Sequence, residues 1–307
     1  MTDKKVPVGR FAPTPSGRMH LGNVFTAMLA WLSVRAEGGK FVLRMEDLDT
    51  QRTQDAYAQA ICDDLLWLGL DWDIQTQRQS LRSAVYDSYF DRLQEQGLVY
   101  PCYCTRSQLH SADAPHLSDG TYVYPGTCRD LTNAQRRRFD RLPAWRVQVP
   151  DKQVELTDLV QGHYSQNLLH ECGDFVIRRA DGVYVYQLAV TVDDAEAGVT
   201  EVVRGMDLLS SSPRQMYLQE LFGFPKVRYA HVPMLLSSDG RRLSKRDRDL
   251  DMGALRARTT PERVLGVLAH AAGLKETPAP VSAQELAEQF CWEKVRKTPV
   301  YVDVTEL

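Results

Sequence analysis

The residues of this chain best suited to phosphate chemistry are a histidine with a glycine two positions later, and a lysine inside a basic, serine-containing loop. His20 and Gly22 close the stretch Arg10-Phe11-Ala12-Pro13-Thr14-Pro15-Ser16-Gly17-Arg18-Met19-His20-Leu21-Gly22-Asn23. Lys245 lies more than two hundred residues further on, in Ser237-Ser238-Asp239-Gly240-Arg241-Arg242-Leu243-Ser244-Lys245-Arg246. The first stretch reads as a strand running into a helix start, and a helix N-terminus offers free N–H groups and a positive dipole end to a polyphosphate. Gly22 leaves room for a purine or phosphate where a Cβ would collide. His20 can donate a hydrogen bond to charge that grows in a transition state, although a bare His-x-Gly is more often a helix cap beside a packing glycine. A flexible loop carrying Lys245 can close over a triphosphate and neutralise departing pyrophosphate. Alone, such a loop is usually a solvated charged turn.

Other residues suit a zwitterionic substrate. Glu46, in Leu43-Arg44-Met45-Glu46-Asp47, can bind an ammonium group, while Arg10, Tyr186 and Arg204 offer two guanidiniums and a phenol to an amino acid with two carboxylates. Taken singly, each is equally a surface ion pair or a core tyrosine. Cys102, Cys104 and Cys128 suit a structural zinc site that lacks one ligand, for which His110 and His116 are the nearest chemical candidates. Cys62, Cys172 and Cys291 stand alone and read as buried small hydrophobes. Arg136-Arg137-Arg138 could meet RNA phosphates or form an ordinary charged helix face, and Asp193-Asp194 reads as caps and charge networks rather than a metal pair.

These groups need a scaffold. A short buried strand is expected over residues 6–12. A helix follows with Leu21, Val24, Phe25, Met28, Leu29 and Leu32 on one face, ending at Gly38-Gly39. A second strand over 40–45 delivers Glu46, and helices through Ile61 and Leu65 and through Val85 to Leu93 stop near Gly69 and Gly97. Strand–helix alternation predicts a parallel α/β sheet whose ligands lie beyond the carboxyl ends of its strands, where both His20 and Glu46 fall. Between 102 and 183 the pattern gives way to turns and a hairpin signal at Asp181-Gly182, flanked by Phe175-Val176-Ile177 and Val183-Tyr184-Val185. The α/β pattern resumes at Tyr186, with a strand over 200–204 and a helix capped by Ser210-Ser211-Ser212 with Pro213 in its first turn. Beyond Lys245 the chain reads as helical, then as a loosely patterned tail with Pro278, Pro280 and Pro299.

The two stretches resemble the HIGH and KMSKS signatures of class I aminoacyl-tRNA synthetases, and the Arg10–Gly17 form of the first is similar to the glutamyl branch. The likeness spans residues 6–260 and continues weakly through Trp292-Glu293-Lys294-Val295. It implies a Rossmann-like α/β catalytic domain in two halves, 1–101 and 184–250. A zinc-bearing, acceptor-binding-type insertion would occupy 102–183, and a short helical stem-contact-like module 251–307. It implies ATP, with Mg²⁺ on its phosphates, bound by His20, Gly22, Asn23, Arg242, Leu243, Ser244, Lys245 and Arg246, with His20 and Lys245 catalytic. Arg242 stands where the second signature usually begins with Lys, a charge-preserving change. The resemblance assigns L-glutamate to Arg10, Phe11, Ala12, Pro13, Thr14, Ser16, Glu46, Tyr186 and Arg204. Val190 replaces the Asn usual there, which suggests a slightly different pocket. It also gives one structural Zn²⁺ to Cys102, Cys104, Tyr124 and Cys128, with His116 still a candidate because the loop before Tyr124 is long.

Only about sixty residues follow Lys245, which leaves no room for an anticodon-binding domain. The resemblance therefore narrows to the branch that attaches glutamate to the queuosine base in the anticodon loop of tRNA(Asp). The alternatives are a minimal glutamyl-tRNA synthetase charging the tRNA 3′ end, and a non-enzymatic tRNA- or amino-acid-binding paralogue. With 307 residues, 43% hydrophobic and 25% charged, and no apolar stretch at the N-terminus, a cytoplasmic monomer without membrane contact is expected. The net charge of −3 excludes wholesale coating of nucleic acid, so RNA contacts must come from local patches.

Overall fold

The computed structural model describes residues 6–109, 123–237, 240 and 251–302. β1 (Val8–Phe11) leads through a proline-containing loop into α1 (Leu21–Ala36), and β2 (Lys40–Leu43) returns parallel to β1 with Val8 opposite Lys40. Eleven residues of α1 are buried, because the helix lies between the sheet and the C-terminal helices rather than on a surface. The sharp return to β2 depends on Gly39. A Cβ there would sit 2.5 Å from the Pro7 carbonyl oxygen. After α2 (Asp55–Trp67), β3 (Ile74–Gln75) extends the parallel sheet on the far side of β2.

α3 (Ser83–Glu95) then leads to β4 (Val99–Cys102), where the pattern changes. Two single-turn helices, α4 (Arg106–Leu109) and α5 (Asn133–Arg136), precede β5 (Ala144–Val147). β4, β5 and β8 (Phe175–Arg178) form an antiparallel sheet, and β6 (Gln153–Asp158) pairs with β7 (Gly162–Asn167) in a hairpin.

The parallel pattern returns with α6 (Tyr186–Glu196), β9 (Glu201–Gly205), α7 (Ser212–Phe222) and β10 (Arg228–Val232). β9 and β10 pair in parallel. The Thr200 N–H donates to the Val8 carbonyl oxygen (2.8 Å), which sets β9 beside β1 and brings the two parallel groups together. β11 (Leu235–Ser237), α8 (Met252–Arg256), α9 (Pro261–Ala272), α10 (Ala283–Glu288) and β12 (Val300–Val302) complete the described chain. The main core joins α1, β1, β2 and α2 to α8, α9 and α10. Truncating a fully buried member such as Leu29 to Ala would cost about 2–5 kcal/mol.

Four local expectations differ from the structure. The turn at Asp181-Gly182 forms, with the Arg179 N–H on the Val183 carbonyl (2.8 Å), but its far arm is no strand. Buried Tyr184 makes one bridge to Arg178, and Val185 already caps α6. The serines do not cap α7: a 3₁₀ turn over Met206–Ser211 runs straight into it, so Ser211 is already helical. Cys62 and Cys172 are buried, but Cys291 is half-buried and its thiol donates to Glu293 (2.9 Å). The tail ends in β12, which pairs in parallel with β11; Val300 and Val302 are buried and Tyr301 is exposed, the alternation of a half-covered strand.

Candidate functional site

The loop between β1 and α1 is built to end on a helix start. Pro13 and Pro15 keep it extended, and its carbonyls accept the Glu46 N–H at Pro13 (3.0 Å) and the Gln54 N–H at Pro15 (3.0 Å), which ties it to the exit of β2. His20 is the N-cap of α1: its Nδ1 accepts the Gly22 N–H (3.1 Å), while Asn23 Oδ1 accepts the His20 N–H (3.2 Å). A neutral imidazole accepting at Nδ1 carries its proton on Nε2, so cap and hydrogen-bond donor are one residue. A Cβ on Gly22 would lie 3.0 Å from the His20 ring, so the glycine first makes room for the imidazole. No acidic residue occupies the first turn, so the positive end of the helix dipole is left unneutralised there.

Arg10, Phe11, Ala12, Pro13, Thr14, Ser16, His20, Gly22, Asn23, Glu46, Tyr186 and Arg204 line one cavity of about 650 Å³. The structure thus gathers residues from β1, the loop after it, α1, the exit of β2, α6 and β9. Val190, one turn beyond Tyr186, is buried and is not on the wall. Arg242, Leu243, Ser244, Lys245 and Arg246 lie outside the described residues, as do His110 and His116. The chain resumes beside His20, where Asp251 forms a bridge to it and the Met252 N–H donates to the Met19 carbonyl (3.0 Å).

The wall charges are held in different ways. Arg10 Nη1 donates to the Val203 carbonyl (2.8 Å), and its Nε, 3.5 Å from Asp194, has no hydrogen-bond acceptor among the described residues. Glu46, 11% exposed at its side chain, accepts from Arg44 Nη2 (3.2 Å). Burial pushes its carboxyl above the usual carboxylate range, partly offset by Arg44. Arg44 itself is fully buried, donates to Asp194 (2.6 Å) and lies 3.8 Å from Asp193. Asp193 is held in turn by Arg82, Gln79 and Tyr86, the charge network expected of the acidic pair.

Arg204 has a different cage. Nε donates to His231 Nε2 (2.9 Å), Nη1 to Gln215 (2.7 Å) and Tyr186 Oη (3.2 Å), and Nη2 to Ser212 Oγ (2.7 Å). Behind His231 stands Asp158, 2.6 Å from Nδ1. Sequence reasoning did not single out His231, Asp158, Ser212 and Gln215 as site residues. Asp158 is 73 residues from His231, and no spacing rule links a carboxylate to an imidazole across that distance.

A second cluster lies at the end of β4. The sulfurs of Cys102, Cys104 and Cys128 are within 4.8 Å of one another. Tyr124 Oη is 3.4 Å from Cys102 Sγ and 3.7 Å from Cys104 Sγ, and the two sulfurs of Cys104 and Cys128 are 3.6 Å apart. Ligands on a tetrahedral zinc at about 2.0–2.3 Å stand about 3.5–3.8 Å apart, so this donor set fits that ion. Burial pushes the Cys104 thiol up to about 12. At Cys102 burial also raises the thiol, but the Arg146 guanidinium and the Tyr124 hydroxyl outweigh it and bring it below its usual value. Arg137 and Arg138 are exposed and make no ion pair among the described residues.

The chain matches the family model described as tRNA synthetases class I (E and Q), catalytic domain, over residues 5–307. It is 46% identical over 309 residues to a glutamyl-Q tRNA(Asp) synthetase of Symbiobacterium thermophilum, covering 96% of this chain and 95% of that one. A protein of the same name from Nitratidesulfovibrio vulgaris is 46% identical over 279 residues, covering 87% and 86%. Among solved structures, a glutamate tRNA ligase from Elizabethkingia meningosepticum, crystallised with its amino acid, superposes with a TM-score of 0.84 at 26% identity, over 98% of this chain and 68% of that one.

Proposed function

The chain belongs to the class I tRNA synthetases of the E and Q type and is a ligase-type enzyme, and from that premise we propose that it activates L-glutamate with ATP and transfers it to the queuosine base of tRNA(Asp). The observation that carries the substrate half is the cavity at the N-terminus of α1. There two buried guanidiniums, Arg10 and Arg204, a phenol, Tyr186, and a carboxylate, Glu46, converge. Such a wall is complementary to one ammonium and two carboxylates. What favours the queuosine acceptor is that the relatives of nearly equal length carry that name, whereas the glutamate tRNA ligase matches over only 68% of its chain.

In this reading the α-carboxylate of glutamate attacks the α-phosphorus of ATP, and pyrophosphate leaves. The N–H groups of α1 and the His20 Nε2–H meet phosphate charge, and Lys245 neutralises the departing group. Glu46 holds the ammonium, and Arg10, Tyr186 and Arg204 hold the carboxylates. No side-chain nucleophile takes part. A zinc ion on Cys102, Cys104, Tyr124 and Cys128 would be structural, since four protein ligands leave no position for substrate. Residues 1–101 with 184–250 form the catalytic halves, 102–183 the insertion and 251–307 a short helical module. Among the described residues no helix is long and apolar enough to cross a membrane, and ATP and tRNA as substrates place the work in the cytoplasm.

The test is transfer of radiolabelled glutamate to tRNA(Asp) with and without queuosine, its 3′ end first oxidised with periodate under conditions that spare the queuosine acceptor. Label on queuosine-containing, 3′-blocked tRNA alone is expected. Label that vanishes on 3′ blocking and ignores queuosine would make this a short charging enzyme instead. Metal analysis of the purified protein is expected to give about one zinc per chain, lost in Cys128→Ser.

A further inference from the structure

Ser212, His231 and Asp158 repeat the order of a hydrolytic serine relay: Ser212 Oγ is 3.2 Å from His231 Nε2, and His231 Nδ1 is 2.6 Å from Asp158. Their burial rules that chemistry out, since the three are 0%, 0% and 3% exposed. The imidazole has another occupant. Arg204 Nε, 2.9 Å from Nε2, can only donate, so Nε2 must be the acceptor and the ring proton must sit on Nδ1, facing the carboxylate. Asp158 also accepts the backbone N–H groups of His231 (3.0 Å), Val160 (2.9 Å) and Gln161 (2.9 Å), a set of donors that suits an ionised carboxylate.

We propose that Asp158, acting through His231, is the positioning residue for Arg204, fixing the guanidinium on the cavity wall while standing one imidazole away from it. The separation is what matters. A carboxylate touching Arg204 would neutralise the charge that a substrate carboxylate needs to meet, and attraction between charges falls with distance. Among the described residues Arg204 makes no ion pair, and four of its five N–H donors have neutral partners, leaving one on Nη2. The ring passes the orientation of Asp158 to the guanidinium without passing its charge. Asp158 ends β6, in the hairpin that also donates the Leu159 N–H to the Tyr229 carbonyl on β10 (2.9 Å). The antiparallel segment between the two parallel groups therefore sets the geometry of a residue in the cavity of the other.

This inference rests on the reading of Arg204 as a glutamate-binding residue, and the experiment separates the two. In ¹⁵N-histidine-labelled wild-type protein, the His231 resonances, identified among 7 histidines by their loss in His231→Gln, should report the Nδ1–H tautomer. An Nε2–H tautomer overturns the proposal before any kinetic measurement. ATP–pyrophosphate exchange in the presence of tRNA then gives KM for glutamate and for ATP. Asp158→Asn and His231→Leu should raise KM for glutamate about tenfold or more and leave KM for ATP within about twofold. His231→Gln, whose amide can accept from Arg204 and donate to Asp158, should recover most of the loss. Equal rises in both constants, or no rise for glutamate, overturn the relay, and if Asp158→Asn does not fold, the tautomer and the His231 pair decide. Arg204→Met is the control. If it leaves KM for glutamate unchanged, the substrate reading itself fails; if it raises it while the relay variants do not, only the relay fails.

Discussion

Arg44 and Arg204 are both buried, 0% and 4% exposed, and their surroundings are opposite. Arg44 is ringed by carboxylates, bonded to Asp194 and Glu46 and close to Asp193. Burial alone would make its proton easier to lose, but those three carboxylates more than reverse that. Arg204 is ringed by an imidazole, an amide, a hydroxyl and a phenol. The first arrangement meets its charge with bonded carboxylates, and the second meets four of five N–H groups with neutral acceptors and puts no carboxylate in contact. A buried charge therefore does not by itself mark a substrate site. The absence of a contacting carboxylate among the described residues does: Asp194 feels the Arg204 charge only from a distance, and a ligand carboxylate would recover folding energy that such a site costs.

The largest effects should separate the two by readout. Arg44→Met leaves Asp193, Asp194 and Glu46 facing one another without their shared cation, and should cost about 3–5 kcal/mol of stability by urea unfolding. A loss below about 1 kcal/mol would mean that Arg44 is not the counter-ion described. Arg204→Met should do the reverse. Removing a buried charge that no described carboxylate contacts should leave stability within about 1 kcal/mol of wild type or raise it, while KM for glutamate rises about 100-fold. If Arg204→Met unfolds the protein as Arg44→Met does, the contrast between the two cages is lost.

The sequence made some of this visible and hid the rest for a physical reason. The spacing of Leu21, Val24, Phe25 and Met28 and the stop at Gly38-Gly39 are local signals, and α1 and β2 stand where those signals put them. Arg10, Glu46, Tyr186 and Arg204 could be gathered through motifs, and they do share one cavity. Cys102, Cys104 and Cys128 were legible because the group is compact in sequence, whereas Tyr124 came only from the family resemblance. The cages behind these residues were not legible. Asp194 meets Arg44 across 150 residues and Asp158 meets His231 across 73, and hydrogen-bond partners at such separations leave no periodic trace. The serines before α7 carried a capping signal, yet Ser212 serves Arg204 and Ser211 serves Gln187. Tertiary demand outweighed local preference there.

Glu46 is the border of the two regions, bonded to Arg44 on one side and facing the cavity on the other. Burial raises its folded pKa above the ordinary value of 4.5, against the pull of Arg44 and Arg10. Its carboxylate must be ionised to hold an ammonium group. KM for glutamate should therefore rise as pH falls through a window above 4.5, by about tenfold per unit once below the folded pKa. The stability contribution has the opposite sense. A raised folded pKa means that the fold favours the protonated form, so that contribution is complete below 4.5 and is lost as pH rises through the folded value. Glu46→Gln should remove both slopes. A KM–pH profile unchanged by that substitution would detach Glu46 from the ammonium.

The smallest effect tests whether the cage around Arg204 works by redundancy. Ser212→Ala deletes the acceptor 2.7 Å from Nη2 but leaves His231, Gln215 and Tyr186 in place. One hydrogen bond from a charged donor to a neutral acceptor contributes about 1–2 kcal/mol, so KM for glutamate should rise only about 5–30-fold, below the Arg204→Met value. The freed N–H would also have the substrate carboxylate as an acceptor, which pulls the effect toward the lower figure. If Ser212→Ala instead matches Arg204→Met, the guanidinium hangs on one contact, and a cage of neutral groups is not what holds it. If KM for glutamate does not move, Nη2 already bonds the substrate in preference to the serine. The cage would then be completed by the ligand, which is the behaviour expected of a charge that no described carboxylate contacts and not expected at Arg44, where every partner is the protein's own.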